Sequence, residues 1–293
     1  MHLISYIYKN KTSSGILTKD KTKIISFENC GLSNDINEVI HNDNITKLSD
    51  IQNNYNKDLI DLSEVKIISP IPFPRRDIIC VGKNYFEHAE EFHKSGFDSS
   101  AGKSAVPDHP IIFTKATTSV VGPNDNIIAD NDPSNSIDYE GELGVIIGKD
   151  SKNIKKDNAY DVVFGYTVIN DVTARNLQNQ HKQWFIGKSP DTFCPMGPAI
   201  VTKDEITDVT KLNLVTKVNG EKRQDAIVSD LIFDIPTLIE TITKSTTLVA
   251  GDIIATGTPV GVGIGFSPPK FLVKGDKVTV SINGIGELNN TVV

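Results

Sequence analysis

Short runs of apolar and β-branched residues recur along most of the chain, and glycine, proline, asparagine and aspartate separate them. Runs of this length and composition predict β-strands rather than helices. Two such stretches lie near the start, and seven follow from Asp77 onward. The predicted strands are residues 3–8, 23–27, 78–81, 110–115, 142–147, 162–169, 212–218, 253–256 and 277–282.

Two asparagine–glycine pairs, Asn219-Gly220 and Asn283-Gly284, are flanked by strand-like runs. They predict tight hairpins, because such turns need a positive φ that glycine and asparagine adopt readily. The strands around them are therefore expected to pair antiparallel.

One helix is clearly marked in the sequence. The Asp234 side chain is suited to cap the first turn of this helix, and proline is favourable within a first turn, where Pro236 lies. Apolar residues then recur with the helical period, which predicts a helix that packs one face against a sheet. These apolar residues are Ile235, Leu238, Ile239 and Ile242.

A proline-rich stretch at residues 70–74 forbids helix and favours an extended connection. It predicts a boundary between a small N-terminal domain, residues 1–69, and a larger C-terminal domain, residues 70–293. With many strands and few helices, the expected fold class is α+β, mostly β.

Charge and cysteine content limit the classes of partner and compartment. The 293 residues contain 30 lysines and arginines against 37 acids, a net charge of −7, and no basic cluster. Nucleic acid and anionic membranes are therefore unexpected partners. Cys30, Cys80 and Cys194 are widely spaced, and neither a signal peptide nor a membrane-spanning run is evident. These features predict a cytoplasmic protein with reduced thiols.

The segment from Asp138 to Glu142 carries an acid at every second position. On a strand, Asp138, Glu140 and Glu142 would share one face, with Cβ atoms roughly 6–7 Å apart. An edge strand with a solvated acidic face would have the same pattern. The apolar run at 143–147 instead indicates a strand buried on both faces, where carboxylates need a cation. Oxygen ligands favour Mg²⁺, followed by Mn²⁺ or Ca²⁺.

Asp171 is the candidate third ligand, since it ends a hydrophobic predicted strand just before a helix-like segment at 175–182. The alternative is that Asp171 only caps this helix. Arg175 and Gln178, four and seven positions later, would share its helical face.

His88 and Glu91 are three positions apart, so one helical turn would set the carboxylate against the imidazole and raise its basicity. Such a pair can deprotonate water, but a weak surface ion pair has the same spacing.

Three further features have both a functional and a structural interpretation. Lys188 either supplies a positive charge to an anionic substrate or is a solvated residue. The glycines near Thr258 let that residue approach a ligand. Residues 92–107 have the composition of a lid or of a plain loop.

Five motifs follow one another in order, together with the single residue Gln224. In this order they resemble the motifs of the fumarylacetoacetate hydrolase family, from about Pro70 to the C-terminus. The motifs are Asn84-Tyr85 with His88 and Glu91; 138–142; 170–175; Lys188 with 191–195; and 256–259.

The resemblance implies a mixed β-barrel-like or β-roll C-terminal domain with a small N-terminal domain, usually in a homodimer. It implies that Glu140, Glu142 and Asp171 bind the metal ion. It also implies a catalytic His88–Glu91 dyad with Lys188 beside it. Candidate substrate contacts are Tyr85, Arg175, Gln178, Gln224 and Thr258.

The animal fumarylacetoacetases have a further aspartate ligand just before a tyrosine, where this chain has Asn84-Tyr85. The smaller, three-carboxylate, acylpyruvase-like members are therefore more similar. The leading expectation is a Mg²⁺-dependent hydrolase of the C–C bond in 2,4-dioxo acids, with water activated by the dyad. Decarboxylation, isomerisation or a hydratase or lyase step on a 2-oxo acid, through a metal-bound enolate, is the enzymatic alternative. A binding module stabilised by Ca²⁺ is the non-enzymatic one.

Overall fold

The computed structural model describes residues 1–41, 45–97 and 104–293. Its strands, in chain order, are β1 (His2–Tyr8), β2 (Lys11–Leu17), β3 (Lys23–Ser26), β4 (Ile60–Asp61), β5 (Lys66–Ile68), β6 (Ile78–Gly82), β7 (Ile111–Lys115), β8 (Val120–Val121), β9 (Asn126–Ile127), β10 (Ile137–Asp138), β11 (Gly141–Ile147), β12 (Val163–Asn170), β13 (Thr173–Ala174), β14 (Cys194–Thr202), β15 (Asn213–Val218), β16 (Glu221–Ile227), β17 (Ile253–Ala255), β18 (Lys277–Ile282) and β19 (Gly286–Val292). Its α-helices are α1 (Ile36–His41), α2 (Ile45–Asn54), α3 (Phe86–Lys94), α4 (Arg175–His181), α5 (Phe185–Lys188) and α6 (Ile235–Ser245).

Most of the strands form one large mixed sheet. Its order is β4-β3-β2-β1-β14-β12-β11-β17-β6-β7, with β5 added to β1 and β8 added to β14. A second sheet has the order β16-β15-β18-β19-β9, and β10 pairs with β13. Pairing is antiparallel except where β6 meets β17, β8 meets β14 and β9 meets β19. The fold is therefore α+β and mostly β, as the sequence predicts.

The local predictions are confirmed. All nine predicted strands are present, and their ends differ from the prediction by at most one residue. Asn219 and Gly220, with φ of 51° and 82°, turn the chain between β15 and β16. Helix α6 begins where expected, because the Asp234 side chain accepts a hydrogen bond of 2.9 Å from the Thr237 backbone N–H. Its predicted apolar face is buried in the largest core.

Strand β14 is absent from the sequence-based prediction, although it lies in the middle of the large sheet between β1 and β12. It contains Pro195 and Pro198, which cannot donate to a strand ladder and so argue against a central strand. The sheet accommodates them with an irregularity, since the β12–β14 register shifts between Tyr166 and Val168.

The first strands extend the sheet that carries the later ones. Leu3 of β1 pairs with Ile200 of β14, and Phe27 shares a core with Phe164 and Ile169. Whether residues 1–69 form a domain of their own stays a prediction. Across the described ranges, none of the helices combines the length and the apolar character required to cross a bilayer. Cys30, Cys80 and Cys194 are free thiols.

Candidate functional site

The acidic segment is not one continuous strand, which corrects the expected single acidic face. Asp138 ends β10 and Gly141 begins β11, so Glu140 lies in the break between them. Its backbone is fixed there, because the Glu140 N–H donates to Asn170 Oδ1 at 3.0 Å and its carbonyl accepts from the Asp171 N–H at 2.8 Å. Strand β11 is buried throughout and lies between β12 and β17, which excludes the solvated edge strand.

The three predicted metal ligands lie together and are buried. Glu140, Glu142 and Asp171 each offer one carboxylate oxygen, and these oxygens lie within 4.8 Å of one another. Asp171 does not cap α4, which begins at Arg175 with Ala174 as its cap residue. The sequence therefore identified three carboxylates that the fold brings to one point.

The charge of this triad is suited to a divalent cation. Burial, with the carboxylates of Asp171 and Glu140 close by, raises the pKa of Glu142 well above its usual value. Glu142 Oε2 accepts a backbone hydrogen bond from the Gly257 N–H at 2.8 Å. Asp171 Oδ1 is buried and makes no hydrogen bond of good geometry with the described residues, although Lys115 Nζ lies 2.7 Å from it. Oxygens in this state are what a hard cation binds.

Two of the predicted site residues are buried cations that contact carboxylates of the triad. Lys188 Nζ lies 2.8 Å from Glu140 Oε2 and 2.6 Å from Asp171 Oδ2, so Lys188 is not a solvated residue. Arg175 lies 2.6 Å from Glu140 Oε1 and 2.9 Å from Asp138 Oδ2. Burial alone would raise the pKa of Glu140, but Lys188 and Arg175 outweigh it and lower that pKa to about 2. Burial lowers the pKa of Lys188, yet Asp171 and Glu140 raise it overall.

Lys115 belongs to this site and was missed by the sequence analysis. It is fully buried at the end of β7. Its ammonium donates to the Val172 carbonyl at 3.0 Å and to the Lys188 carbonyl, and it pairs with Asp171. Lys115 therefore fixes both the third carboxylate and the end of α5. A lysine that ends an apolar strand was the available signal.

The predicted dyad forms on α3. His88 Nδ1 lies 3.1 Å from Glu91 Oε2, and both side chains are largely buried, 5% and 12% exposed. Glu91 Oε1 also accepts a hydrogen bond of 3.0 Å from the Gly261 N–H. A surface ion pair would be solvated and loosely held, so the buried geometry favours a functional pair.

His88 of the dyad and Glu140 of the triad line one small cavity of about 10 Å³, roughly the room of one water molecule. Three of its lining residues are cations, which suits an anionic ligand. Three others are aromatic and restrict access of water. The lining residues are Val81, Gly82, Lys83, His88, Phe92, Phe113, Glu140, Arg175, Gln178, Trp184, Lys188 and Thr258.

Three of the five predicted substrate contacts, Arg175, Gln178 and Thr258, line this cavity. Gln224 does not, because its amide already accepts from the Gly141 N–H at 3.0 Å and donates to Thr258 Oγ1 at 2.7 Å. Tyr85 lines a separate cavity of about 410 Å³, together with Pro259.

The predicted lid, residues 92–107, is described only in part, since residues 98–103 lie outside the described ranges. Its first residues belong to α3, and the Phe97 ring packs edge-on against Phe271 with centroids 6.4 Å apart. A lid function for this segment stays a prediction.

Comparison with known proteins shows the family of the chain. Residues 77–293 match the family described as fumarylacetoacetate (FAA) hydrolase C-terminal. Oxaloacetate tautomerase YisK of Bacillus subtilis (strain 168) is 52% identical over 234 residues, which cover 80% of this chain and 75% of that protein.

Solved structures agree over the whole chain. A fumarylacetoacetate hydrolase from psychrophilic Exiguobacterium antarcticum is 37% identical with a TM-score of 0.83, covering 100% of this chain and 99% of that one. A 5-carboxymethyl-2-hydroxymuconate delta-isomerase from Mycobacterium smegmatis is 32% identical with a TM-score of 0.76, at the same coverage. The relatives thus include a hydrolase, an isomerase and a tautomerase by name. The chain belongs to the fumarylacetoacetate hydrolase family.

Proposed function

We propose that the protein is a metal-dependent enzyme that interconverts the enol and keto forms of a short 2-oxo diacid of the oxaloacetate type. The observation that carries this proposal is the meeting of His88 with Glu140 at one cavity lined by three cations. A proton-transfer group and one carboxylate of the triad therefore border the same cavity. A diacid is larger than one water molecule, so the lining side chains must move apart for it to bind. The 52% identity to an oxaloacetate tautomerase supports the same reaction.

Glu140, Glu142 and Asp171 would hold the metal ion, with Mg²⁺ as the first choice and Mn²⁺ or Ca²⁺ as alternatives. The fit rests on the raised pKa of the Glu142 carboxyl, which burial and two neighbouring carboxylates cause, and on the buried Asp171 Oδ1 without a good hydrogen bond. When bound, the ion supplies Lewis acidity to the carboxylate and 2-oxo oxygens of the substrate.

The protein's own residues would move the proton. With Nδ1 paired to Glu91, His88 Nε2 is the nitrogen left to exchange a proton with C3 of the substrate. Glu91 orients the ring through this contact. Lys188 and Arg175 stabilise the negative charge of the enolate because both cations border the cavity. The aromatic wall of Phe92, Phe113 and Trp184 limits water access.

The test is the decay of enol-oxaloacetate followed by its ultraviolet absorbance, with Mg²⁺ or with EDTA. His88→Ala and Glu91→Gln are expected to lower kcat by about 100-fold or more, the usual contribution of general acid–base catalysis. Glu90→Gln is the matched control, because Glu90 is exposed on the same helix and pairs with the exposed Lys94. Unchanged turnover in both dyad variants would contradict the proposal.

Hydrolysis of the C–C bond in acylpyruvates is the second candidate. The buried His88–Glu91 pair and a cavity with room for one water molecule favour it. Hydrolysis of acetylpyruvate or fumarylpyruvate in H₂¹⁸O would place one labelled oxygen in the released acid, whereas tautomerisation incorporates none by this route. Loss of CO₂ from oxaloacetate would identify a decarboxylase. If Mg²⁺ supports no turnover of any 2-oxo acid, the Ca²⁺-stabilised binding module remains.

A further inference from the structure

One glycine-rich segment, residues 257–265, contacts three separate carboxylates of the site. Its backbone N–H groups donate to Glu142 Oε2 from Gly257 at 2.8 Å and to Glu91 Oε1 from Gly261 at 3.0 Å. The Gly263 N–H donates to Asp138 Oδ1 at 2.6 Å. Because Glu142 belongs to the triad and Glu91 to the dyad, this segment connects the two halves of the site.

Gly265, at the end of the segment, lies directly against the dyad. A Cβ atom on Gly265 would be 1.9 Å from Glu91 Oε1 and 2.3 Å from Glu91 Cδ. Real Cβ atoms do not approach other atoms this closely. The close approach of the Glu91 carboxylate, rather than an unusual backbone conformation, therefore requires glycine here.

Gly265 differs in this respect from Gly261 of the same segment. A Cβ on Gly261 would lie 1.9 Å from the Arg223 backbone carbonyl, and Gly261 has a φ of 106°. A side chain at 261 would thus strain the backbone. At 265 the nearest obstacles are all in the flexible end of one side chain, so the Glu91 carboxylate can give way while the fold is kept.

We propose that Gly265 is a positioning residue for the dyad. By leaving space for the Glu91 carboxylate, it lets segment 257–265 set the His88–Glu91 pair at a fixed position relative to the carboxylate triad. This inference rests on the proposed function only for its effect on turnover. A methyl group at 265 displaces Glu91 from His88, while the Gly257 N–H keeps its bond to Glu142.

The first test is Gly265→Ala, with Gly148→Ala as the matched control. Gly265 is exposed and Gly148 is buried, but the Cβ added to Gly148 would meet the Phe164 side chain at 3.1 Å, and neither Gly148 nor Phe164 lines the cavity at the dyad. Gly265→Ala is expected to fold, to bind Mn²⁺ with a Kd within about twofold of wild type and to lose about 100-fold in kcat with little change in KM. Gly148→Ala is expected to retain wild-type kcat.

The second test needs no substrate, so it separates this inference from the proposed function. In ¹⁵N-histidine-labelled protein, the ring nitrogens of His88 are assigned by their absence in His88→Ala. Gly265→Ala is expected to shift these signals, because Nδ1 loses its carboxylate partner, and Gly148→Ala is not. Wild-type His88 signals in folded Gly265→Ala would overturn the proposal, whether or not oxaloacetate is a substrate.

A double-mutant cycle separates positioning from a general structural role. If Gly265 acts through Glu91, then Gly265→Ala lowers the kcat of Glu91→Gln by less than about threefold, since the interaction is already lost. An equal loss in the wild-type and Glu91→Gln backgrounds would overturn the proposal. A large loss of Mn²⁺ affinity in Gly265→Ala would do so as well, because the triad would then depend on Gly265.

Discussion

The ammonium of Lys188 lies 2.6 Å from Asp171 Oδ2, and both side chains are buried. A lysine in this position pairs with a carboxylate of the triad without a metal ion. The same carboxylate is a proposed ligand for the metal, so the lysine and the metal ion both compensate one negative charge. This relationship makes stability and metal binding depend on each other in measurable ways.

Lys188→Met is expected to destabilise the metal-free protein by about 3 kcal/mol, because the buried carboxylates of Asp171 and Glu140 each lose one of their cationic partners. Mg²⁺ can replace that charge, so the increase in Tm between EDTA and Mg²⁺ should be larger for this variant than for wild type. Thermal unfolding in both conditions measures the difference. Lys66→Met, which removes an exposed ion pair to Asp125, is the control and should change Tm little. Equal Mg²⁺ shifts in wild type and Lys188→Met would contradict the expectation.

Glu142→Gln should reveal the repulsion within the triad. Burial and the carboxylates of Asp171 and Glu140 raise the pKa of Glu142 above its usual 4.5. A raised carboxyl pKa favours the folded state below the unfolded value and costs stability as pH rises through the folded value. In EDTA at pH 7 the variant should therefore melt higher than wild type, and the two should converge near pH 4. In Mg²⁺ the order should reverse, because a ligand is lost. A variant that melts lower than wild type in EDTA at pH 7 would refute this account.

Arg175→Met tests the guanidinium that bridges Asp138 and Glu140. Despite burial, Arg175 and Lys188 lower the pKa of Glu140 to about 2, so this group's stabilisation is present above pH 4.5 and is lost as pH falls towards 2. Without Arg175, acid unfolding should begin at a higher pH, and stability at pH 7 should fall by about 3 kcal/mol. Circular dichroism during acid titration measures the midpoint. An unchanged midpoint would show that Lys188 alone holds Glu140.

Asp234→Ala tests a feature remote from the site. The variant removes the cap of α6, whose bond to the Thr237 N–H is 2.9 Å, and should cost about 1 kcal/mol. That corresponds to a decrease in Tm of about 2–4 °C. Activity at 25 °C should be unchanged, because α6 does not line the cavity at the dyad. A fall in kcat at constant stability would contradict this separation.

Local order in the fold was predictable because it depends on neighbouring residues. The nine strands, the Asn219-Gly220 hairpin and the cap of α6 each follow from a few consecutive positions. The carboxylate triad was predictable for another reason. Acids at the ends of apolar strands have few structural roles, and Glu140, Glu142 and Asp171 all stand there.

Contacts between segments that are distant in the sequence could not be predicted. Lys115 reaches the site only because β7 runs beside β6 and brings its last residue under α5. Gln224 and Tyr85 were grouped with the substrate contacts by resemblance, yet β16 and the start of α3 place them outside the small cavity. Strand β14 was not predicted because it contains Pro195 and Pro198, and proline is rare in central strands. The fold nevertheless pairs this strand with β1 on one side and β12 on the other.

The pairing of β1 with β14 has a consequence for handling the protein in fragments. Removing the residues before the proline-rich stretch at 70–74 would expose the edge of β14 that pairs with β1. The backbone amides and carbonyls of that edge could then form hydrogen bonds with strands of other molecules. A fragment limited to residues 70–293 would therefore tend to self-associate, even if the geometry of its site were preserved.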